Sequence, residues 1–184
     1  MSISHRIVEI LETCFTSNST KSLKVGSVDT NVYSLVTRPA DTTAYTALDV
    51  VGMSPAANIS FSNIAVAGSG IIIMGVNLEI GVNAIPSGMG AFRLHLYSSA
   101  PTAIADNAAF NLISADRHDK YLGYIDITTP LDFGDTLWSQ NDNINFKCKL
   151  ASNSTTLYGV LQTMAAYTPS SATIKKVILK VVTV

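Results

Sequence analysis

Apolar residues in this sequence recur with a period of two, and that alternation narrows what the chain can fold into more than any other feature. From Ile72 to Val82 every even-numbered residue is apolar: Ile72, Met74, Val76, Leu78, Ile80 and Val82. The odd set, with Gly75, Asn77, Glu79 and Gly81, is mostly small or polar. Segment 92–97 sets Phe92, Leu94 and Leu96 against Arg93, His95 and Tyr97. Segment 143–150 sets Ile144, Phe146, Cys148 and Leu150 against Asn143, Asn145, Lys147 and Lys149. Ile125 and Ile127 oppose Tyr124 and Asp126, and Val177, Leu179 and Val181 oppose Lys176 and Lys180. Successive side chains of a strand point to opposite faces, so each segment has one face for a core. Several independent segments of this kind predict packed sheets.

Turn chemistry separates the segments. Arg38-Pro39-Ala40-Asp41, Ile85-Pro86-Ser87-Gly88, Ser99-Ala100-Pro101-Thr102, Asp132-Phe133-Gly134-Asp135 and Thr168-Pro169-Ser170 carry Pro, Gly or Asp where the chain must reverse. Further strands are expected at 31–37, 45–52, 57–66 and 156–167. There is no βαβ rhythm, so the expectation is an all-β antiparallel sandwich or barrel. The strand at 156–167 differs from the rest, because Leu157, Val160, Leu161, Met164, Ala165 and Tyr167 fall on both faces. Such a strand is either central and covered twice or lies against another subunit. On the second reading Leu157, Leu161 and Tyr167 would mediate self-association.

The N-terminal stretch, residues 1–22, is set apart from a single sandwich domain at 23–184. Ile7, Ile10, Leu11 and Cys14 recur at helical spacing with Ser4 as a cap, which fits a short helix. An extended arm that orders on a partner fits equally, with Ile3, Ile7, Ile10 and Phe15 as its contacts. Met1–Glu12 includes Arg6, Glu9 and Glu12 and lacks the apolar run of a signal peptide, so synthesis in a cytoplasm and reduced thiols are expected.

Composition bears on the surface. Charged residues are 14% of the 184, where a soluble domain carries about 25%, and the net charge is −1. Mean hydropathy is +0.30. The longest apolar stretch, Ile71–Val76, is far short of the roughly 20 residues that span a bilayer, so no membrane partner is expected. A weakly charged, apolar-leaning surface points to an assembly in which partners cover much of it. Phosphate binding needs clustered Lys and Arg, and nucleic acid is not expected as a partner. The densest groups, Lys175, Lys176 and Lys180 and the pair Lys147 and Lys149, alternate along strands and read as solvated edges.

Chemistry-bearing constellations are sparse. Asp116-Arg117-His118-Asp119 could hold a metal or act as acid and base, yet His5 and His95 have no ligand-spaced companion. A short polar loop explains the cluster. No Gly-x-Ser-x-Gly elbow occurs, and Gly68-Ser69-Gly70 reads as a hairpin turn. Glutamate is confined to Glu9, Glu12 and Glu79, which disfavours a paired-carboxylate site. No catalytic residue, cofactor or metal is expected. Trp138, the only tryptophan, could stack on a sugar together with Tyr97, or simply pack at a strand end.

Two stretches carry a family resemblance. Thr37-Arg38-Pro39-Ala40-Asp41-Thr42-Thr43-Ala44-Tyr45-Thr46-Ala47-Leu48-Asp49-Val50-Val51-Gly52 resembles a segment of phage and prophage structural proteins. In that segment a Pro/Asp turn precedes Ala-Tyr, a small residue or two, Gly-Asp-Val and a glycine. Phe92–Tyr97, Ala100-Pro101-Thr102, Asp106-Asn107-Ala108-Ala109-Phe110 and Tyr121-Leu122-Gly123 resemble the same group. The resemblance implies a bacteriophage virion protein, and more specifically a decoration or cement protein of jelly-roll type on the capsid surface. On that reading the major capsid protein is the expected partner, and because identical contacts on a lattice add avidity a homo-oligomer is expected, a trimer at threefold positions ahead of a dimer at twofold ones. The resemblance carries over no catalytic residue. Leu48 stands where glycine is usual, so the turn there is expected to differ. A tail, neck or fibre component, or a carbohydrate-binding sandwich using Trp138 and Tyr97, are the alternatives.

Overall fold

The computed structural model describes residues 29–184. The alternation resolves into β1 (Asp29–Thr37), β2 (Ile59–Phe61), β3 (Gly70–Ile80), β4 (Phe92–Tyr97), β5 (Tyr121–Ile127), β6 (Leu131–Asp132), β7 (Leu137–Asn141), β8 (Phe146–Lys149), β9 (Leu157–Thr163) and β10 (Ile174–Thr183). One short helix, α1 (Ser114–Asp119), precedes β5. One sheet runs β1-β10-β3-β7-β6, with β8 also on β3, and the other runs β2-β9-β4-β5. All pairings are antiparallel.

β7 and β8 lie end to end along β3, which meets β8 through Gly70–Ile73 and β7 through Val76–Ile80. With β7 and β8 taken as one interrupted strand, and the two-residue β6 left aside as a short edge hairpinned onto β7, the first sheet joins the first, last, third and sixth strands of the chain. The second joins the second, seventh, fourth and fifth. That interleaving is the connectivity of a jelly roll. The inner faces meet in a core of Val36, Phe61, Ile73, Val76, Leu78, Phe92, Leu94, Leu161, Val177 and Leu179, each fully buried.

The alternation expected along β3 slips by one residue. Ile71 and Ile73 face the core, Met74 is exposed, and Val76, Leu78 and Ile80 are buried again. Against β10 the register shifts at this point, with Gly75 opposite Lys180 and Ile73 opposite Val181, so Met74 is an extra, bulged residue. A bulge moves every later side chain to the other face. Gly75 makes it feasible, because a Cβ there would lie 2.7 Å from Asp142 Oδ1 and 3.1 Å from the Asn141 carbonyl oxygen.

Several expectations need correction. Residues 45–52 form isolated bridges, Tyr45 to Tyr167, Asp49 to Ala109 and Val50 to Gln162, and no strand. The strand expected at 57–66 shrinks to Ile59–Phe61. β6 and β7 were not anticipated, and the Asp116 cluster lies on α1 in place of a loop. β10 is an interior strand and not an edge, with Lys175 only 1% exposed. Leu157, Leu161 and Tyr167 are 0%, 0% and 3% exposed, so they pack inside the sandwich and offer no surface for self-association. β9 is apolar on both faces because it is covered twice within one chain. The arm or helix at 1–22, with Ile3, Ile7, Ile10 and Phe15, lies outside the described residues, as do His5 and Cys14.

Candidate functional site

The second covering of β9 begins with backbone pairing. Past the end of β2, residues 48–51 take over as the neighbour of β9: Val51 N–H donates to the Leu161 carbonyl (2.8 Å), Thr163 N–H to Asp49 (2.9 Å) and Leu48 N–H to Thr163 (2.9 Å). Residues 107–110 pair in turn with this segment, through Val50 N–H to Ala108 (2.8 Å), Asn107 N–H to Val50 (2.9 Å) and Phe110 N–H to Leu48 (3.2 Å). Together they fold over the outer face of the β2-β9-β4-β5 sheet. Val50, Tyr97 and Val160 form a second small core there, packed by Ile104, Phe110, Leu112, Tyr121 and Tyr158.

His95 lies in this covered layer at 5% exposure. Its ring stacks on Phe110 with centroids 3.8 Å apart and planes 13° apart. Gln162 donates its side-chain N–H to the Leu48 carbonyl (2.9 Å), which turns its Oε1 towards His95 Nε2 at 3.0 Å. The imidazole proton is therefore on Nε2, and Nδ1 accepts from the Tyr121 hydroxyl at 3.1 Å. Burial holds the His95 pKa below the ordinary histidine value, so the ring is a neutral hydrogen-bonding link.

A buried ionic clasp fastens the cover. The Arg38 side chain is 0% exposed and spends all three of its nitrogens. Nε donates to Tyr45 Oη (2.6 Å), and Nη1 to the carbonyls of Asp41 (3.1 Å) and Ser170 (3.2 Å). Nη2 donates to Asp106 Oδ2 (3.1 Å) and Asp41 Oδ1 (3.2 Å). Asp106 Oδ1 also accepts from the Tyr45 hydroxyl (2.5 Å) and from Gly52 N–H (2.8 Å). Glycine at position 52 eases this approach, since a Cβ would lie a tight 3.1 Å from the Asp106 backbone nitrogen. Arg38, Asp41, Tyr45, Gly52 and Asp106 come from the two stretches that carry the family resemblance, and they converge on one device. Leu48 is also explained: its φ is +75°, so the turn keeps the conformation that suits glycine despite the leucine.

The expected cluster residues disperse. Asp116 is 4% exposed and ties the 99–102 turn to α1, accepting from Thr102 N–H (2.9 Å) and Lys120 Nζ (2.8 Å). Among the described residues His118 bonds only to the Arg117 guanidinium, at 3.1 Å. Among the described residues no group of three or more His, Cys, Asp or Glu side chains converges as a metal site would. Burial pushes the Cys148 thiol up to about 11, which keeps it protonated and unreactive. Tyr97 is 2% exposed and cannot stack on a sugar. Trp138 lies on the opposite sheet from Tyr97, in a shallow apolar hollow with Phe133 and Thr136. The carbohydrate site built on both rings is therefore corrected.

The outer face of the first sheet has no such cover from the described residues. Across it run Leu35, Lys176, Glu79, Trp138 and Leu131, with Tyr33, Ile178, Asn77 and Gln140 in the next row. Tyr33, Leu35, Leu131 and Phe133 are 62%, 51%, 65% and 68% exposed. Lys176 bridges to Glu79 at 3.6 Å and lies 5.1 Å from the Tyr33 ring centroid. Sequence reasoning missed this face, although Val32, Tyr33, Leu35 and Val36 already break the alternation by placing apolar residues in both phases.

No protein-family model and no curated protein matches the chain. Among solved structures it is similar to a bacterial lipoprotein from Bacteroides thetaiotaomicron, at 12% identity and TM-score 0.34 over 89% of this chain and 92% of that one. It is similar also to a chain of Desmodium yellow mottle tymovirus, at 11% identity and TM-score 0.27 over 91% and 94%. A chain of the Israeli acute paralysis virus full particle matches at 11% identity and TM-score 0.28 over 100% and 81%. The jelly-roll assignment stands on strand order and register.

Proposed function

We propose that this protein is a structural, non-enzymatic component of a virus particle, and more specifically a decoration protein that binds the outer surface of a bacteriophage capsid and stabilises the head. The observation that carries the reading is the clasp. The residues that resemble phage structural proteins, Arg38, Asp41, Tyr45, Gly52 and Asp106, meet in one buried network inside a jelly roll. The partner is the major capsid protein, met by residues 1–22 through Ile3, Ile7, Ile10 and Phe15. Self-association adds avidity, since several weak identical contacts on a lattice bind together.

The first test is cryo-electron microscopy of intact particles. Density for the jelly roll on the shell exterior supports the reading, and density confined to the tail, neck or a fibre removes the decoration role. Charges are few, so attachment rests on apolar burial and backbone hydrogen bonds. Salt at 1 M, with a Debye length of about 3 Å, leaves such contacts intact. Bound protein measured by gel densitometry stays constant across a salt series and falls in mild denaturant. Release by salt alone contradicts this mode of attachment.

A further inference from the structure

Five strands bound the two sheets, and four of them are protected against pairing with another chain. β2 spans only three residues and β6 only two. β5 is broken by a register shift where Gly123 adopts φ +128°. β8, in line with β7 along β3, presents Lys147 and Lys149. Short length, bulges and lysines are the devices that keep sheet edges from associating. β1 has none of them. It runs nine residues, Asp29–Thr37, in unbroken register with β10, without Gly, Pro, Lys or Arg.

The direction of its backbone groups follows from its neighbours. Gly81 N–H donates to the Ile174 carbonyl, so the even-numbered residues of β10 face β3 and the odd-numbered ones face β1. Arg38 N–H donates to Thr173, in agreement with that assignment. The even-numbered residues of β1 therefore pair with β10. The N–H and C=O groups of Asn31, Tyr33, Leu35 and Thr37 point to the free edge, and no described residue pairs with them. The side chains of Tyr33 and Leu35 stand exposed beside that edge.

We infer that β1 is a strand-pairing edge whose occupant is β1 of a second copy, running antiparallel across a twofold axis near Tyr33. Charge selects this arrangement. Asp29 is the only charged residue of β1. Antiparallel pairing about Tyr33 sets it opposite Thr37 of the second copy and keeps the two aspartates at opposite ends. Parallel pairing in register would place Asp29 beside Asp29, and like charges directly opposite are destabilising. On the outer face Tyr33 meets Tyr33 and Leu35 meets Asn31, which aligns the two open sheet faces into one surface. The inference deepens the proposed self-association and rests on it only for the identity of the partner.

The test reads single amides in the full-length protein. Hydrogen exchange by NMR should show Asn31, Tyr33 and Leu35 protected as strongly as Val32 and Ser34 at concentrations where the protein sediments as a dimer or an even-numbered oligomer. Leu35→Lys, with its near-ultraviolet circular dichroism unchanged, should raise the dissociation constant at least tenfold and release those amides. Tyr33→Cys in a Cys14→Ser, Cys148→Ser background should form an inter-chain disulfide under mild oxidation. Oligomers with unprotected Asn31, Tyr33 and Leu35 amides would show another interface, leaving virion assembly intact and overturning the edge. Protection that persists in a monomer and disappears when residues 1–28 are removed would give the edge to the chain's own N-terminal segment and overturn the second copy.

Discussion

The two sheets of this jelly roll both carry apolar residues on their outer faces, and the described residues treat them in opposite ways. Over the β2-β9-β4-β5 sheet, residues 45–52 and 104–112 fold back and bury Tyr97, Val160 and His95. Over the β1-β10-β3-β7-β6 sheet, Tyr33, Leu35, Leu131 and Phe133 remain exposed. The difference lies in what secures a cover. A loop laid on a sheet gains apolar burial but must satisfy its own backbone groups. The first cover does so by pairing with β9 and by locking onto Arg38 and Asp106. The β6–β7 hairpin on the other sheet has only a two-residue strand and an Asx turn, Asp132 Oδ1 accepting from Gly134 N–H at 2.8 Å. One face is finished within the fold and the other is left open by the described residues.

The most severe way to break the comparison is to cut the clasp. Asp106→Ala leaves the Arg38 guanidinium buried with one carboxylate fewer and takes away the acceptor of both Gly52 N–H and the Tyr45 O–H. Removing one partner of a buried pair costs about 3–5 kcal/mol. Urea unfolding should show that loss, with the cover freed first, seen as faster exchange at Val50 and Phe110. A loss under about 1 kcal/mol would mean that the clasp does not hold the cover. Leu161→Asp belongs to the same class for a different reason: it places a charge in the core, and the expected result is failure to fold, not a weakened oligomer.

How much of this was legible beforehand depends on range. The strands with clean alternation, at Phe92–Tyr97 and along Val177–Val181, were readable because period two is a local property. The slip at Met74 was not, since an exposed methionine and a glycine fit either phase and only the partner strand reveals the bulge. β7 was missed because Leu-Trp-Ser-Gln-Asn carries too few apolar residues to show a period. Lys175 misled because lysine normally marks solvent. For β9 both readings were open, covered twice or facing another subunit, and only the long-range return of 45–52 and 104–112 separates them. The clasp residues were quoted for their resemblance, but their meeting across a separation of up to 68 positions leaves no local signature.

Lys175 tests the same clasp from its other side. Among the described residues its ammonium group has no hydrogen-bond partner, and burial, with Arg38 adding repulsion, pushes its pKa from 10.5 down to about 7. Between those values the unfolded chain holds a proton that the folded one lacks, so stability rises with pH from about 7 to 10.5. Lys175→Met should stabilise the protein by roughly 2–4 kcal/mol near pH 7 and by little near pH 10.5. Thermal unfolding of both proteins across that range checks it, and parallel curves would show that Lys175 is solvated. His95 acts at lower pH with the same sign. Its folded pKa lies below the unfolded value of 6.5, so the cover keeps its full contribution above that pH and loses it as pH falls further. Exchange at Phe110 should therefore quicken on acidification while exchange at Val177, in the core of the other sheet, changes less.

The smallest effect sharpens the account of the cover itself. Leu48 holds φ +75° so that its carbonyl can accept from both Gln162 and Phe110. A left-handed conformation costs a residue with a Cβ roughly 1–2 kcal/mol, and glycine avoids that at about 0.5–1 kcal/mol of extra chain entropy. The Leu48 side chain is 50% exposed, so little burial is lost on removing it. Leu48→Gly should then stabilise the fold by up to about 1 kcal/mol, a rise in Tm of roughly 2–4 °C for a chain of this size. Asn63 is the control, because it holds φ +56° with a side chain that tolerates this region. Asn63→Gly should leave Tm unchanged within about 1 °C. If scanning calorimetry finds Leu48→Gly neutral or destabilising, the leucine is packing against the cover more than its exposure implies. The strain at that turn would then be compensated locally, and the covered face would owe its stability less to the clasp.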